Sequence, residues 1–505
     1  MLRISIIGLS VVLMACSPQT DPIEQKVQKQ IQENNSNTEV EIVETIETFS
    51  QERRVGYIPF PDGYGYMKDL DKLQQATDEG NRKVIREHGW NLWAGIMQPS
   101  HEGGWPLWFT WPNTKLAFEN ASGPVGEQSV SAKKVGKSHS TIVQNNINNA
   151  PDVDTPAPFY PLPDIVRKLF PKGVCKDRHG NDIACDGIHF VNNGDIMIPT
   201  ESLSIELMDD IRGKGLYQTA TLDKAHEDNV HMINVQQKSI VTKHMYWPVK
   251  AKGITAIPVW KDNFPSSFTG YAGYEVWNTL VAIDPSGLLV GETVDAEFLY
   301  GVKQHNKKDD QPTVKGKALV YALDDFYFHK ITQEDWDSFD EADKAILTAA
   351  SYWANKQTIG VGDYLVTVAM HVNTKELASW TLQSVWWSDT PDEGIYSENR
   401  PHIPQAVGPW DHYLLTDAYA VPANPDGNVD IAVNPYIEGV IHPIATNCRN
   451  CHVRAGWPTG KTVGKASYQN PDCPGLLEDL NPKSECLKEL TLTDYLWIIP
   501  DRAND

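Results

Sequence analysis

The sequence predicts a mostly β fold of the α+β class, with long irregular loops and a C-terminal segment whose chemistry is its own. Three observations lead there. Apolar runs are short and β-branched, sustained helical periodicity occurs in only two stretches, and 35 Gly and 33 Pro among 505 residues interrupt the chain often. No fixed-period internal repeat is visible.

Residues 1–15 hold one early cation (Arg3), an apolar stretch from Ile4 to Met14, and Ala15 just before Cys16. That stretch is too short to span a bilayer and has the layout of an export signal. From Ser17 to about Arg54 the composition shifts to Gln, Glu, Asn and Thr, with no aromatic before Phe49. Such a segment buries too little apolar surface to offset its ordering entropy, so residues 16–54 read as a flexible tether. About 450 residues follow, enough for two or three cores. We expect an aromatic-rich region over 55–200, a β-rich middle over 201–395 and a C-terminal region over 396–505. The loop Pro401-His402-Ile403-Pro404 marks the last boundary.

The two helical stretches are Met67 to about His88 and Thr332 to about Lys356. Strands are expected at Ser239–Thr242, Gly253–Trp260, Glu275–Ala282, Leu289–Val290, Ala318–Ala322 and Asp363–Val372. Trp105, Trp108 and Trp111 stand three apart; a core or pocket wall suits them better than an exposed stacking platform. Asp426 to Asp430 has the start of a calcium loop, but Ile431 and Ile437 occupy the positions that need Gly and Glu, so an Asx-rich turn fits better.

The sharpest signal is Asn447-Cys448-Arg449-Asn450-Cys451-His452, a Cys-x-x-Cys-His run. Two intervening residues place both thiols on one edge of a porphyrin, where they form thioethers with the vinyl groups, and the adjacent imidazole becomes the proximal iron ligand. A thioredoxin-type redox motif would open a helix after a strand in an α/β unit, whereas Pro-rich loop precedes this one. A zinc site would need a second ligand pair, and Cys473 and Cys486 are too far apart, with no His nearby.

On this motif the C-terminal region resembles c-type cytochromes, which implies one covalent haem c held by Cys448, Cys451 and His452. Leu13-Met14-Ala15-Cys16 resembles the bacterial lipobox, which implies cleavage and acylation at Cys16. Ser17 after it implies the outer membrane rather than the inner, and hence a periplasm-facing or surface location in the cell envelope. Several acyl chains on one cysteine anchor firmly, since each buried methylene contributes about 0.8 kcal/mol. The segment from His371 through Lys375 to Trp386-Trp387 also resembles uncharacterised exported cytochrome c-family proteins, as do Pro248–Lys252 and Trp105–Trp111.

Cys16, Cys448 and Cys451 leave four thiols, which allow three disulfide pairings in an oxidising compartment. Local pairing is simplest, Cys175 with Cys185 across the turn signal His179–Asp182, and Cys473 with Cys486. A net charge of −22 excludes nucleic acid as a partner and leaves room for a basic redox protein. No further stretch is apolar enough to span a bilayer, so the N-terminal lipid is the expected membrane contact.

After His452 the chain has neither Met nor His. The distal iron ligand must therefore come from upstream, or the sixth position stays open to water or a small molecule. Arg454, Lys461 and Tyr468 follow the motif but are uncommon ligands. In the strand Tyr364–Val372, alternation puts Val366, Val368, Met370 and Val372 on one apolar face and His371 on the other, making His371 the distal candidate against His402, His412 and His442. Three roles follow: electron transfer through the haem; a haem oxidoreductase with an open iron face acting on a small molecule; and a ligand-binding or sensing module with a structural haem.

Overall fold

The computed structural model describes residues 57–100, 106–118, 161–176, 180–185, 190, 196–261, 277, 279–299, 313–419, 432, 434–437, 448–458 and 482–504. The chain divides into two units, Met1–Phe49 and Ser50–Asp505, and the described residues belong to the second. Cys16, the leader, Trp105, the Asp426–Asp430 loop, His442, Lys461, Tyr468 and Cys473 lie outside the described residues.

The helices are α1 (Leu70–Asp78), α2 (Arg82–Ile96), α3 (Thr114–Phe118), α4 (Asp164–Leu169), α5 (Ile205–Gly213), α6 (Thr219–Glu227), α7 (Gln333–Ser338), α8 (Glu341–Asn355), α9 (Cys448–His452) and α10 (Ile498–Arg502). The strands are β1 (Val174–Lys176), β2 (Asp182–Ala184), β3 (Ile198–Leu203), β4 (Ile240–Val249), β5 (Thr255–Val259), β6 (Thr279–Ile283), β7 (Thr293–Leu299), β8 (Thr313–Tyr321), β9 (Phe328–Lys330), β10 (Tyr364–Thr374), β11 (Thr381–Trp387), β12 (Tyr413–Asp417), β13 (Gly456–Trp457) and β14 (Thr491–Leu492). This is the α+β architecture expected.

An antiparallel six-stranded sheet in the order β12-β11-β10-β4-β3 organises the protein, with β9 sharing one edge of β10 with β11. It takes strands from on either side of residues 200 and 395, so both expected internal boundaries fall within one hydrogen-bonded layer. A four-stranded sheet, β5-β6-β8-β7, joins through the β4–β5 turn, and its β6–β8 pair is parallel. Helix α8 packs on β4, β5 and β7 and so bridges the two sheets. Gly173 lies against the start of α8, where an added Cβ would stand 2.1 Å from the Glu341 carbonyl oxygen. Only glycine permits that approach.

Both expected helices divide, for local reasons. Gly80 takes φ 65°, and Asn81 then caps α2 by accepting from the Val84 amide at 3.4 Å. In the second stretch two capping boxes follow one another, Thr332 with Asp335 and Asp340 with Asp343, and each starts a helix. Leu289–Val290, expected as strand, is a turn. Asp284 shapes it by accepting from the Ser286 and Leu289 amides at 2.9 and 3.0 Å.

Trp108 and Trp111 are buried, and Trp108 stacks on His244 with ring centroids 4.4 Å apart. Burial holds His244 well below its ordinary pKa, so the ring is neutral. These tryptophans are core. Helix α2 is fastened to the sheet by Arg86, which is 1% exposed and donates to Asp417 Oδ2 and the Leu415 carbonyl at 3.0 Å, to the Tyr396 carbonyl at 2.8 Å and to the Glu398 carbonyl at 2.9 Å. Arg86→Ala is expected to destabilise the fold by about 3–5 kcal/mol, because it leaves the buried Asp417 carboxylate only the more distant, exposed Arg82 at 3.6 Å and removes the donor to three backbone carbonyls. Chemical denaturation measures it, and a loss under 1 kcal/mol (order of magnitude of an exposed pair) would refute this role.

Candidate functional site

The C-terminal segment folds onto one face of the large sheet. Helix α9 is a single turn that packs against β11, and Val453 with the Cys448 side chain joins an apolar cluster containing Leu382, Leu490, Leu492 and Leu496. Cys448 and Cys451 carry thiols, not a disulfide. Cys448 Sγ donates to the Ala432 carbonyl at 3.1 Å. The sheet beneath is antiparallel, so α9 does not sit in the βαβ setting of a thioredoxin-type motif. Cys486 is disulfide-bonded, which removes it as a zinc thiolate. Among the described residues no three His, Cys, Asp or Glu side chains are grouped to hold a metal ion.

His452 Nδ1 lies 2.7 Å from the Tyr495 carbonyl oxygen. A carbonyl only accepts, so Nδ1 carries a hydrogen. Tyr495 is presented by an unusual corner: Asp494 and Tyr495 both have left-handed backbone, φ 51° and 65°. Asp494 is fully buried and braces that corner. It pairs with the Lys375 ammonium, accepts from Trp380 Nε1 at 3.3 Å, and accepts from the Val235 amide at 2.9 Å. The Trp497 indole adds a bond to the Cys451 carbonyl at 3.2 Å. Lys375 and Trp380 belong to the stretch whose resemblance was noted from the sequence, and here that stretch meets the motif's support.

His371 is buried, on the β10 position paired with Ser384 of β11 and Lys243 of β4. Ser384 Oγ donates to the Met370 carbonyl at 3.1 Å and accepts from Asn434 Nδ2 at 2.7 Å. His371 Nδ1 lies 2.7 Å from the same Ser384 Oγ. Leu382, two residues from Ser384 and so on the same face, lies in the cluster with Val453 and Cys448. Asn434, two residues beyond Ala432, completes a physical chain from His371 to the Cys448 thiol.

The rest of β10 differs from simple alternation. Its register against β4 shifts between Thr367 and Ala369. Thr367 bonds His244 Nε2 at 2.8 Å and Met370 is paired opposite His244, which puts Thr367 and Met370 on one side. Met370 is core, as expected. His402 is exposed and His412 is half-buried, stacked on Trp387. Arg454 is buried beside the motif.

The disulfide Cys175–Cys185 is present, with its Cα atoms 5.1 Å apart across the β1–β2 hairpin. Among the described residues no helix is long and apolar enough to cross a membrane. Asp501, in the last helix, is pushed up to about 7 by burial and by Glu201, with Arg502 and Lys243 opposing. A carboxyl raised from 3.8 in this way favours the folded state fully only below about pH 4, and that contribution is lost as pH rises through about 7. The slope of Tm against pH over that window should therefore flatten in Asp501→Asn. An unchanged slope would contradict the assignment.

Sequence reasoning did not single out Asp494 or Tyr495. The available signal was one charged residue inside the apolar run Leu490–Ile499. No family model, curated protein or solved structure matches the chain.

Proposed function

We propose that this protein is an exported, lipid-anchored c-type cytochrome that transfers electrons through one haem c. Cys448 and Cys451 would carry the thioethers and His452 would be the proximal ligand. The observation that supports this best is the contact of His452 Nδ1 with the Tyr495 carbonyl, which orients the ring so that Nε2 would be the atom to ligate an iron. When bound, the haem supplies a one-electron iron couple. The chain's own part is to attach, orient and enclose it. The Asp494 node fixes the direction of the Tyr495 carbonyl, and the hydrogen bond raises imidazole basicity. Val453, Leu490 and Leu496 keep water from the thiol side.

His371 is the proposed distal ligand, on the strength of its place on the sheet face that receives the Cys448 segment and its link to that segment through Ser384 and Asn434. The lipid on Cys16 would hold the protein at the envelope membrane, outer membrane favoured, where a redox protein is the partner. Visible and resonance Raman spectra of the haem-loaded protein in both oxidation states test this. A six-coordinate spectrum unmoved by carbon monoxide is expected, and it should change in His371→Ala. Ready carbon monoxide binding by the wild type would instead favour an open-site oxidoreductase.

A further inference from the structure

Ten large apolar side chains are exposed among the described residues, and six of them gather at one end of the molecule: Ile254, Leu288, Leu289, Val290, Leu319 and Val361. The hydrogen bonding brings their turns together. Thr255 pairs with Ile283, which sets Ile254 beside the turn that begins at Asp284. The Ala251 amide donates to Asp363 Oδ1 at 2.9 Å, which brings in the turn carrying Val361. The Gly291 amide donates to the Val320 carbonyl at 2.9 Å, which folds Leu288–Val290 back beside Leu319.

The tip is preformed. Asp284 accepts from the Ser286 amide, the Ser286 hydroxyl and the Leu289 amide, at 2.9, 2.7 and 3.0 Å. Gly287 and Gly291 supply the left-handed backbone on either side, φ 73° and 86°. The result holds Leu288 85% exposed at the apex. Six exposed apolar side chains on adjoining turns, three of them consecutive on one braced turn, are unlike the singly scattered exposed residues of an ordinary surface. Although the chain carries −22 overall, two exposed lysines lie at this end, Lys252 two residues before Ile254 and Lys330 beside the turn of Val361, while Lys250 is paired with Asp363 and Glu292 is the exposed acid of the Leu288–Val290 turn.

We propose that this end is a lipid-contacting surface: Leu288–Val290 dips into the headgroup–acyl boundary of the membrane that carries the Cys16 lipid, with Lys252 and Lys330 against anionic headgroups. Apolar tips with a cationic rim bind the interface in this way. The proposal rests on the lipid-anchor reading. By sequence, 38 residues from Ser17 to Arg54 link the proposed lipid on Cys16 to the rest of the chain.

The test uses full-length protein carrying Leu288→Cys labelled with an environment-sensitive fluorophore, and Leu169→Cys (also exposed, on α4) as the control. Each is reconstituted into vesicles of three parts phosphatidylethanolamine to one part phosphatidylglycerol. The label at 288 should shift to the blue and be quenched by a lipid-borne quencher, while the label at 169 should do neither. Aqueous emission at 288 in protein that is acylated by intact mass and floats with the vesicles overturns the surface alone. A blue shift at 288 that appears without lipid and grows with protein concentration shows a second copy on this face and overturns the proposal. An intact mass without acyl chains overturns the anchor reading, and the surface with it.

Discussion

Full-length protein in which Cys448 and Cys451 are both replaced by Ala is expected to lose covalent haem completely. Both thiols sit on one helical turn, half-buried and reduced, and no other described cysteine carries a thiol. Cys175 and Cys185 are bonded to one another, and Cys486 is already in a disulfide. A thioether has no substitute in alanine, so haem staining after denaturing electrophoresis should fall from full signal to none. Either single variant should retain one attachment and a partial signal. Persisting covalent haem in the double variant would overturn the attachment and, with it, the proposed function.

The second large effect is expected at Asp494. Its carboxylate is fully buried and serves Lys375, Trp380 and the Val235 amide together. Asp494→Ala leaves a buried ammonium and two buried donors unmatched, so a loss of about 3–5 kcal/mol is expected. Because Asp494 braces the left-handed corner that aims the Tyr495 carbonyl at His452, the visible spectrum of the haem-loaded variant should change as well. Removing the cation too, in Asp494→Ala with Lys375→Met, should recover much of the stability. Urea denaturation with equal midpoints for wild type and Asp494→Ala would remove this node from the account.

The parts legible in the sequence are those with local causes. Cys448, Cys451 and His452 stand together in one short segment, so the spacing that suggests thioether attachment is readable from residue types alone. The Cys175–Cys185 staple follows from a turn flanked by two cysteines. Helix starts at Asn81 and Asp340 rest on caps a few residues long, which are local signals carried by the sequence itself. What was hidden depends on distant chain. Every residue of β11 is buried, so it shows no alternation by which a strand is recognised. The register shift in β10 is imposed by its neighbour β4, and alternation read across Thr367 cannot foresee it. The acceptor for His452 is a backbone carbonyl, which has no residue-type signature at all.

The large sheet also bears on timing. Its central pair, β4 with β10, joins residues far apart in the chain: the His244–Thr367 bond alone spans 123 positions. Closing loops of that length precedes any reward from the contacts, and folds dominated by non-local pairing assemble in milliseconds to seconds, against microseconds for local ones. The surface that receives α9 is built from β11, which pairs only after β10 is placed. A newly made chain is therefore expected to pass through an interval in which the thiols of Cys448 and Cys451 are not yet seated, and the proposed haem attachment would have its kinetic window there.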